Sequence, residues 1–301
     1  MAIGDVSHLP FSRAEAERIR MSISRGADWS TAELGRTDEG YLRQLTGRPI
    51  LKWPPELPPH DPRGVSSAPS FECWKKASAS KIGIAGSYFS HKAGGRTACH
   101  SFLEAKLLRS FEMNPYVIEI RTQYPSWDRD AFLAYALRGR RMPKNKVLTI
   151  DFMLTLHIPG YPFRLYLGVS GKPSALLQEP AVLGRHERET SQLWTWGCAH
   201  EVMTERTVTE REHVNCRRLL SYMLHTDDIG ALVPAVVEFA QAISTTTASG
   251  PLKRVIGMVA KRLGHDERMG FRLFGLAHFL GYLRWNHRYE LDPRKPLSLS
   301  D

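Results

Sequence analysis

The stretch VLTIDFMLTLHIPGYPFRLYLGVSGKP, Val147 to Pro173, decides how the chain is read. It spells two β-strands joined by a turn at Pro159, Gly160 and Pro162. In the first strand Leu148, Ile150, Phe152, Leu154 and Leu156 share one face; Val147, Thr149, Asp151, Met153 and Thr155 share the other. In the second, Phe163, Leu165, Leu167 and Val169 alternate with Arg164, Tyr166, Gly168, Ser170 and Lys172. An acid in mid-strand, Asp151, and a lysine at the end of the next strand, Lys172, therefore converge on one side of a sheet. A metal-dependent phosphodiesterase needs such a pair: a carboxylate to hold a divalent ion and an ammonium to meet water and phosphate charge.

Working back from that pair, ACHSFLEAKLLRSFEM (residues 98–113) predicts a helix ended by Asn114-Pro115. Wound at about 100° per residue, Leu103, Leu107, Phe111 and Leu108 form one apolar arc. Glu104 falls inside that arc and Glu112 outside it. A carboxylate in an apolar stripe is costly unless it meets a cation, a donor or a metal. Periodicity leaves both a structural salt bridge, which it slightly favours, and a metal site open. The run Tyr116–Gln123 predicts a strand closed by Pro125, residues 179–197 a helix and residues 200–205 a further strand. The order helix, strand, strand, strand, helix, strand describes a mixed α/β core with helices flanking a sheet.

Around Thr207 the pattern turns helical. Thr209 and Glu212 offer a capping box, and three more amphipathic segments follow before LRWNHRYELDP, which reads as a small hairpin. Helices ending in a hairpin suggest a winged-helix-like domain, a fold that serves DNA and protein partners alike. The expected organisation is a helical N-terminal extension (1–46), a proline-rich linker (47–70), an α/β domain (71–206) and the winged-helix-like domain (207–301). Ser12 and Glu15 suggest a capping box in the extension, with a second helix near Glu39–Leu45. The seven prolines of the linker exclude a helix or a central strand and predict a surface path.

Composition narrows the partners. A net charge of +10 is an electrostatic footprint suited to nucleic acid, or simply to solubility. Lys75, Lys76, Lys81, Lys92 and Arg96, interleaved with Tyr88 and Phe89, form one basic stretch, and Arg138, Arg140, Arg141 and Lys144 another. Both suit a phosphate backbone or a solvated loop. The four cysteines are scattered, which signals neither zinc nor a disulfide framework. No bilayer-spanning run or signal-peptide pattern appears, so a cytosolic protein is expected. Gly171-Lys172 lacks the glycine and the Ser/Thr of a phosphate-binding loop, His186-Glu187 lacks the second histidine of a zinc helix, and no nucleophile elbow occurs.

Glu104, Asp151 and Lys172, carried in order on helix, strand and next strand, resemble a restriction-endonuclease-like core of the PD-(D/E)xK kind. The wider spelling is similar to the TnsA endonuclease subunit of heteromeric cut-and-paste transposases. SFLEAKLLRSFEMNPYVIEIRTQYP resembles the stretch around that family's first catalytic acid, TIDFML its Thr-Pro-Asp-Phe strand, and GVSGKPSALL its Val-x-Val-Lys-Pro strand end. VMTER at 202–206 resembles the following strand, and the C-terminal block the family's winged-helix-like domain. The resemblance runs from about Lys81 to Leu297. It implies that Glu104 and Asp151 bind Mg²⁺ or Mn²⁺ and that Lys172 stabilises the reacting phosphate. The family's acid or glutamine two residues before the lysine falls on Ser170, a neutral metal ligand. The implied activity is cleavage of the non-transferred strand at the 5′ ends of a transposon. The implied partners are transposon-end DNA, a TnsB-like DDE-type transposase and a TnsC-like ATP-dependent regulator in the bacterial cytoplasm. A nuclease acting alone and a non-catalytic DNA-binding assembly subunit are the alternatives.

Overall fold

The computed structural model describes residues 42–43, 45, 49–61, 63–74, 85–140, 142–161 and 164–300. The helix expected after Ser12, most of the one expected near Glu39–Leu45 (of which Leu42 and Arg43 lie in a turn), the residues Lys75, Lys76, Lys81 and Arg141, and the Lys144 side chain lie outside the described residues. Two compact units emerge. A sheet unit gathers the residues up to 46 with 56–105 and 117–207; a helical unit gathers 47–55, 106–116 and 208–301.

The sheet unit opens with a hairpin, β1 (Gly86–Ser90) and β2 (Gly95–Cys99), followed by helix α1 (Phe102–Glu112). Strand β3 (Val117–Ser126), helix α2 (Arg129–Leu137), strands β4 (Leu148–Leu156) and β5 (Leu165–Gly171), helix α3 (Pro180–Trp194) and strand β6 (Ala199–Met203) complete it. The four-stranded sheet has the order β3-β4-β5-β6. Its first two pairings are antiparallel and the last is parallel. A parallel return requires a crossover, and α3 supplies it. Gly168 lets α3 lie close: a Cβ there would stand 2.3 Å from Leu193 Cδ1. Thus the mixed sheet expected from the alternating strands is present, with helices against it. Two details differ from expectation. Pro125 lies within β3 rather than ending it, which a terminal strand of a sheet tolerates because its outward N–H is not needed. Residues 129–137 form α2, capped by Asp128, whose Oδ1 accepts the Ala131 N–H at 2.7 Å.

The proline-rich stretch is not a surface linker. Asp61, Arg63, Val65, Ser67 and Ala68 are buried in the sheet unit. Asp61 Oδ2 accepts from Arg63 Nη2 at 2.7 Å, Arg121 Nη1 at 2.7 Å and the Tyr124 hydroxyl at 2.8 Å. Burial alone would raise the Asp61 pKa, but Arg63, Arg121 and the Tyr124 hydrogen bond hold it down at about 2. The earlier prolines belong to the helical unit, where the Leu51 N–H donates to Leu280 O at 2.8 Å and Trp53 meets Phe279 edge-on.

The helical unit holds α4 (Glu210–Tyr222), α5 (Ile229–Thr245), α6 (Leu252–Arg262) and α7 (Glu267–Phe279). Thr209 caps α4 as its spacing predicts, accepting the Glu212 N–H at 3.1 Å. The buried Asn215 fastens the last segment through Tyr289 O and the Leu291 N–H. The expected hairpin at LRWNHRYELDP does not form. Single bridges, Trp285 to Leu299 and Pro251 to Pro296, stand in its place, and the prolines at 293 and 296 cannot donate to a ladder. The division between the units passes through α1: its first turn, with Glu104, belongs to the sheet unit. No helix among the described residues is long and apolar enough to cross a membrane.

Candidate active site

Helix α1 begins at a capping box that sequence reading overlooked, Ser101-Phe-Leu-Glu104. Ser101 Oγ accepts the Glu104 N–H at 3.1 Å and donates to Glu104 Oε1 at 3.0 Å. The His100 N–H and the Gln123 carboxamide donate to Oε2 at 2.8 and 3.0 Å. The three bonds to its carboxylate fix the side chain of Glu104, a residue only 6% exposed. Of its apolar arc, Leu107, Leu108 and Phe111 are buried and Leu103 is half-buried.

Asp151 stands in the middle of β4. The ladder pairs Phe152 with Val169, so continuing the register puts Asp151 across from Ser170, one pleat from Lys172. The Gly171 N–H donates to Asp151 Oδ2 at 2.8 Å. Lys172 is half-buried, and its own N–H donates to Met203 O at 2.9 Å, which anchors the end of β5 to β6.

The electrostatics join the three groups. Burial, then the neighbouring charge of Asp151, pushes the Glu104 carboxyl up to about 7, against the His100 and Ser101 hydrogen bonds and Lys172. Burial likewise raises Asp151, opposed by Lys172 and the Gly171 N–H and reinforced by Glu189. Two acids from distant parts of the chain thus share one desolvated pocket with one ammonium. Among the described residues no group of three or more His, Cys, Asp or Glu is disposed to hold a metal. The oxygen donors that do converge are the two carboxylates.

Ser170 is turned to other partners. Its hydroxyl donates to Glu189 Oε2 at 2.7 Å and meets His200 Nε2 at 3.1 Å. Glu189 is fully buried on α3 and also accepts from Arg185 Nε at 2.7 Å; Arg185 Nη2 continues to Thr149 O at 3.0 Å. Burial pushes His200 down to about 4, so its approach to Glu189 is not an ion pair at neutral pH. Gln123 entered the sequence reading only as the Gln followed closely by Pro of the family resemblance, and Arg185, Glu189 and His200 were not singled out. The i,i+4 spacing of Arg185 and Glu189 was the available signal.

Of the basic residues proposed to meet DNA, Arg96, Arg138 and Arg140 are exposed. Lys92 is not on the surface: it is 2% exposed, and the reading of it as a phosphate contact is corrected. Its main chain, through Lys92 O, accepts the Ile120 N–H of β3, which draws the hairpin turn inward. No protein-family model matches the chain, and no curated protein is significantly similar to it.

Proposed function

We propose that this chain is a metal-dependent DNA endonuclease subunit of a cut-and-paste transposase, built on a restriction-endonuclease-like core with a winged-helix-like C-terminal part. One observation carries the reading. The charge of Asp151 on β4 adds to burial in raising the ionisation cost of Glu104 on α1, Asp151 is itself raised by burial, and Lys172 acts on both. Buried acids set against each other suit a divalent cation, and hard oxygen donors suit Mg²⁺ or Mn²⁺. Glu104 and Asp151 would hold the ion. Ser170 offers only a neutral oxygen whose proton is given to Glu189. When bound, such an ion supplies Lewis acidity to the scissile phosphate and a lowered pKa to its water.

The chain's own residues supply the rest. The three hydrogen bonds to the Glu104 carboxylate fix its orientation before substrate arrives. Lys172, tethered by its backbone to β6, offers an ammonium where negative charge grows on the pentavalent phosphorus. Hydrolysis leaves a 5′-phosphate and a 3′-hydroxyl. The exposed arginines of the β1–β2 hairpin and of the segment after α2 are disposed to neutralise backbone phosphates. By resemblance the cut falls on the non-transferred strand, with a DDE-type partner cutting the other strand and an ATP-dependent regulator engaging the helical unit.

The test is a strand-cleavage assay containing flanked transposon ends, the DDE-type partner and Mg²⁺. Asp151→Ala and Lys172→Ala are expected to lose at least roughly 10³-fold in cleavage of the non-transferred strand. Variants that cut like the parent overturn the assignment. Robust cutting by the single protein points to a nuclease that acts alone.

A further inference from the structure

Gln123 has a backbone that no regular strand uses. Its φ is +50°, and His225 is the other non-glycine among the described residues on the left-handed side. A side chain there costs roughly 1 kcal/mol or more, and β3 is otherwise extended. The ladder shows what the kink does. Thr122 pairs with Phe152 and Tyr124 with Ile150, so Gln123 stands across from Asp151 but outside the regular ladder. Its carbonyl accepts the Trp74 N–H at 3.1 Å. Its carboxamide, 3% exposed, reaches the other acid, donating to Glu104 Oε2 at 3.0 Å. Glycine would take this backbone without strain; the carboxamide is what glycine lacks.

We infer that Gln123 is the positioning residue of the acid pair, holding Glu104 in place opposite Asp151 at the expense of a strained backbone. Its purpose rests on the nuclease reading above; its hold on Glu104 does not. The proposal predicts that strain and hydrogen bond are linked. Gln123→Gly relieves the strain in every background, but deletes a useful bond only where Glu104 is present. In urea unfolding, Gln123→Gly should therefore raise the midpoint more in a Glu104→Ala chain than in the parent chain. Equal shifts in the two backgrounds overturn the proposal.

The second arm is calorimetry of the full chain with Mn²⁺. Gln123→Gly is expected to stay folded and to bind Mn²⁺ at least roughly tenfold more weakly, an effect that loss of a merely structural contact would not produce. If the parent binds Mn²⁺ and the variant binds it equally well, positioning is refuted. If the parent binds none while the backgrounds still differ, the metal reading fails and the hold of Gln123 on Glu104 stands.

Discussion

Asp61 and Glu104 are both buried carboxylates of the sheet unit, and their surroundings drive them in opposite directions. Asp61 meets two arginines and a tyrosine hydroxyl, and its pKa sits at about 2. Glu104 also accepts several hydrogen bonds, yet its pKa rises to about 7. The difference lies in charge balance. Around Asp61, cations outnumber the acid locally, and Glu119 beside Arg121 brings the cluster back to balance. Around Glu104, Asp151 adds a second acid and Glu189 acts on Asp151 as a third, while Lys172 and Arg185 are the cations that oppose them. The first cluster is complete as folded and anchors the proline-rich stretch to the sheet. The second holds more acids than cations, a deficit that the proposed divalent ion would fill.

Removing the acid should break the first cluster and relieve the second. Asp61→Asn leaves the fully buried Arg63 without its carboxylate and Arg121 with Glu119 alone, and is expected to cost about 3–5 kcal/mol in urea unfolding at pH 7. Because the folded pKa lies below its ordinary value of 3.8, this contribution is present above that value and disappears as pH falls through about 2. The gap between parent and variant should narrow by up to about 2.5 kcal/mol over that window. A gap that persists unchanged below pH 2 would mean that lost packing, not charge, was measured.

Glu104→Gln should act with the opposite sign. The folded pKa of about 7 lies above the ordinary 4.5, so stability is fully present below 4.5 and is lost as pH rises through 7. At pH 8 and without divalent ions the variant should be more stable than the parent by up to about 3 kcal/mol, less whatever the altered hydrogen bonds take back. Below pH 4.5 the advantage should vanish. Mg²⁺ should stabilise the parent and narrow the difference, because an ion that binds only the folded chain adds to its stability. Destabilisation at pH 8 would show that Glu104 is a structural acid like Asp61.

The two clusters were unequally legible in the sequence. Asp151 and Lys172 could be placed on one side of a sheet because the strands alternate strictly. Glu104 stood out because an acid interrupted an apolar arc. Its capping partner Ser101 was overlooked, although the box is local and spelled out. Gln123 was visible as the glutamine shortly before Pro125 in the family resemblance, but nothing in YVIEIRTQYP announces a left-handed backbone in mid-strand. Glu189 reaches Ser170 only because the crossover lays α3 on the sheet at Gly168. The Asp61 cluster was the least legible. Proline density was read as a surface path, whereas prolines, having no N–H to satisfy, also suit a segment laid over a buried ion network. In the helical unit, helices followed from periodicity, but the terminal hairpin failed where prolines break the ladder.

The smallest expected effect concerns the neutral residue between the acids. Ser170 occupies the position where the resemblance calls for an acid or glutamine, so it is either a weak metal ligand or a brace. A hydroxyl has one proton and two lone pairs. The proton goes to Glu189, and the neutral His200, whose other nitrogen meets Thr190 Oγ1, engages the same oxygen. That arrangement leaves little for an ion, and Ser170 is 1% exposed. Ser170→Ala should therefore cost about 1 kcal/mol, the worth of one hydrogen bond to a charged partner less the relief of desolvating a hydroxyl. Its Mn²⁺ affinity should stay within roughly twofold of the parent, against the tenfold or greater loss expected when a ligand's support is removed. A tenfold weakening at unchanged stability would reverse the assignment. Ser170 would then belong with Glu104 and Asp151, and Glu189 would serve to orient a ligand.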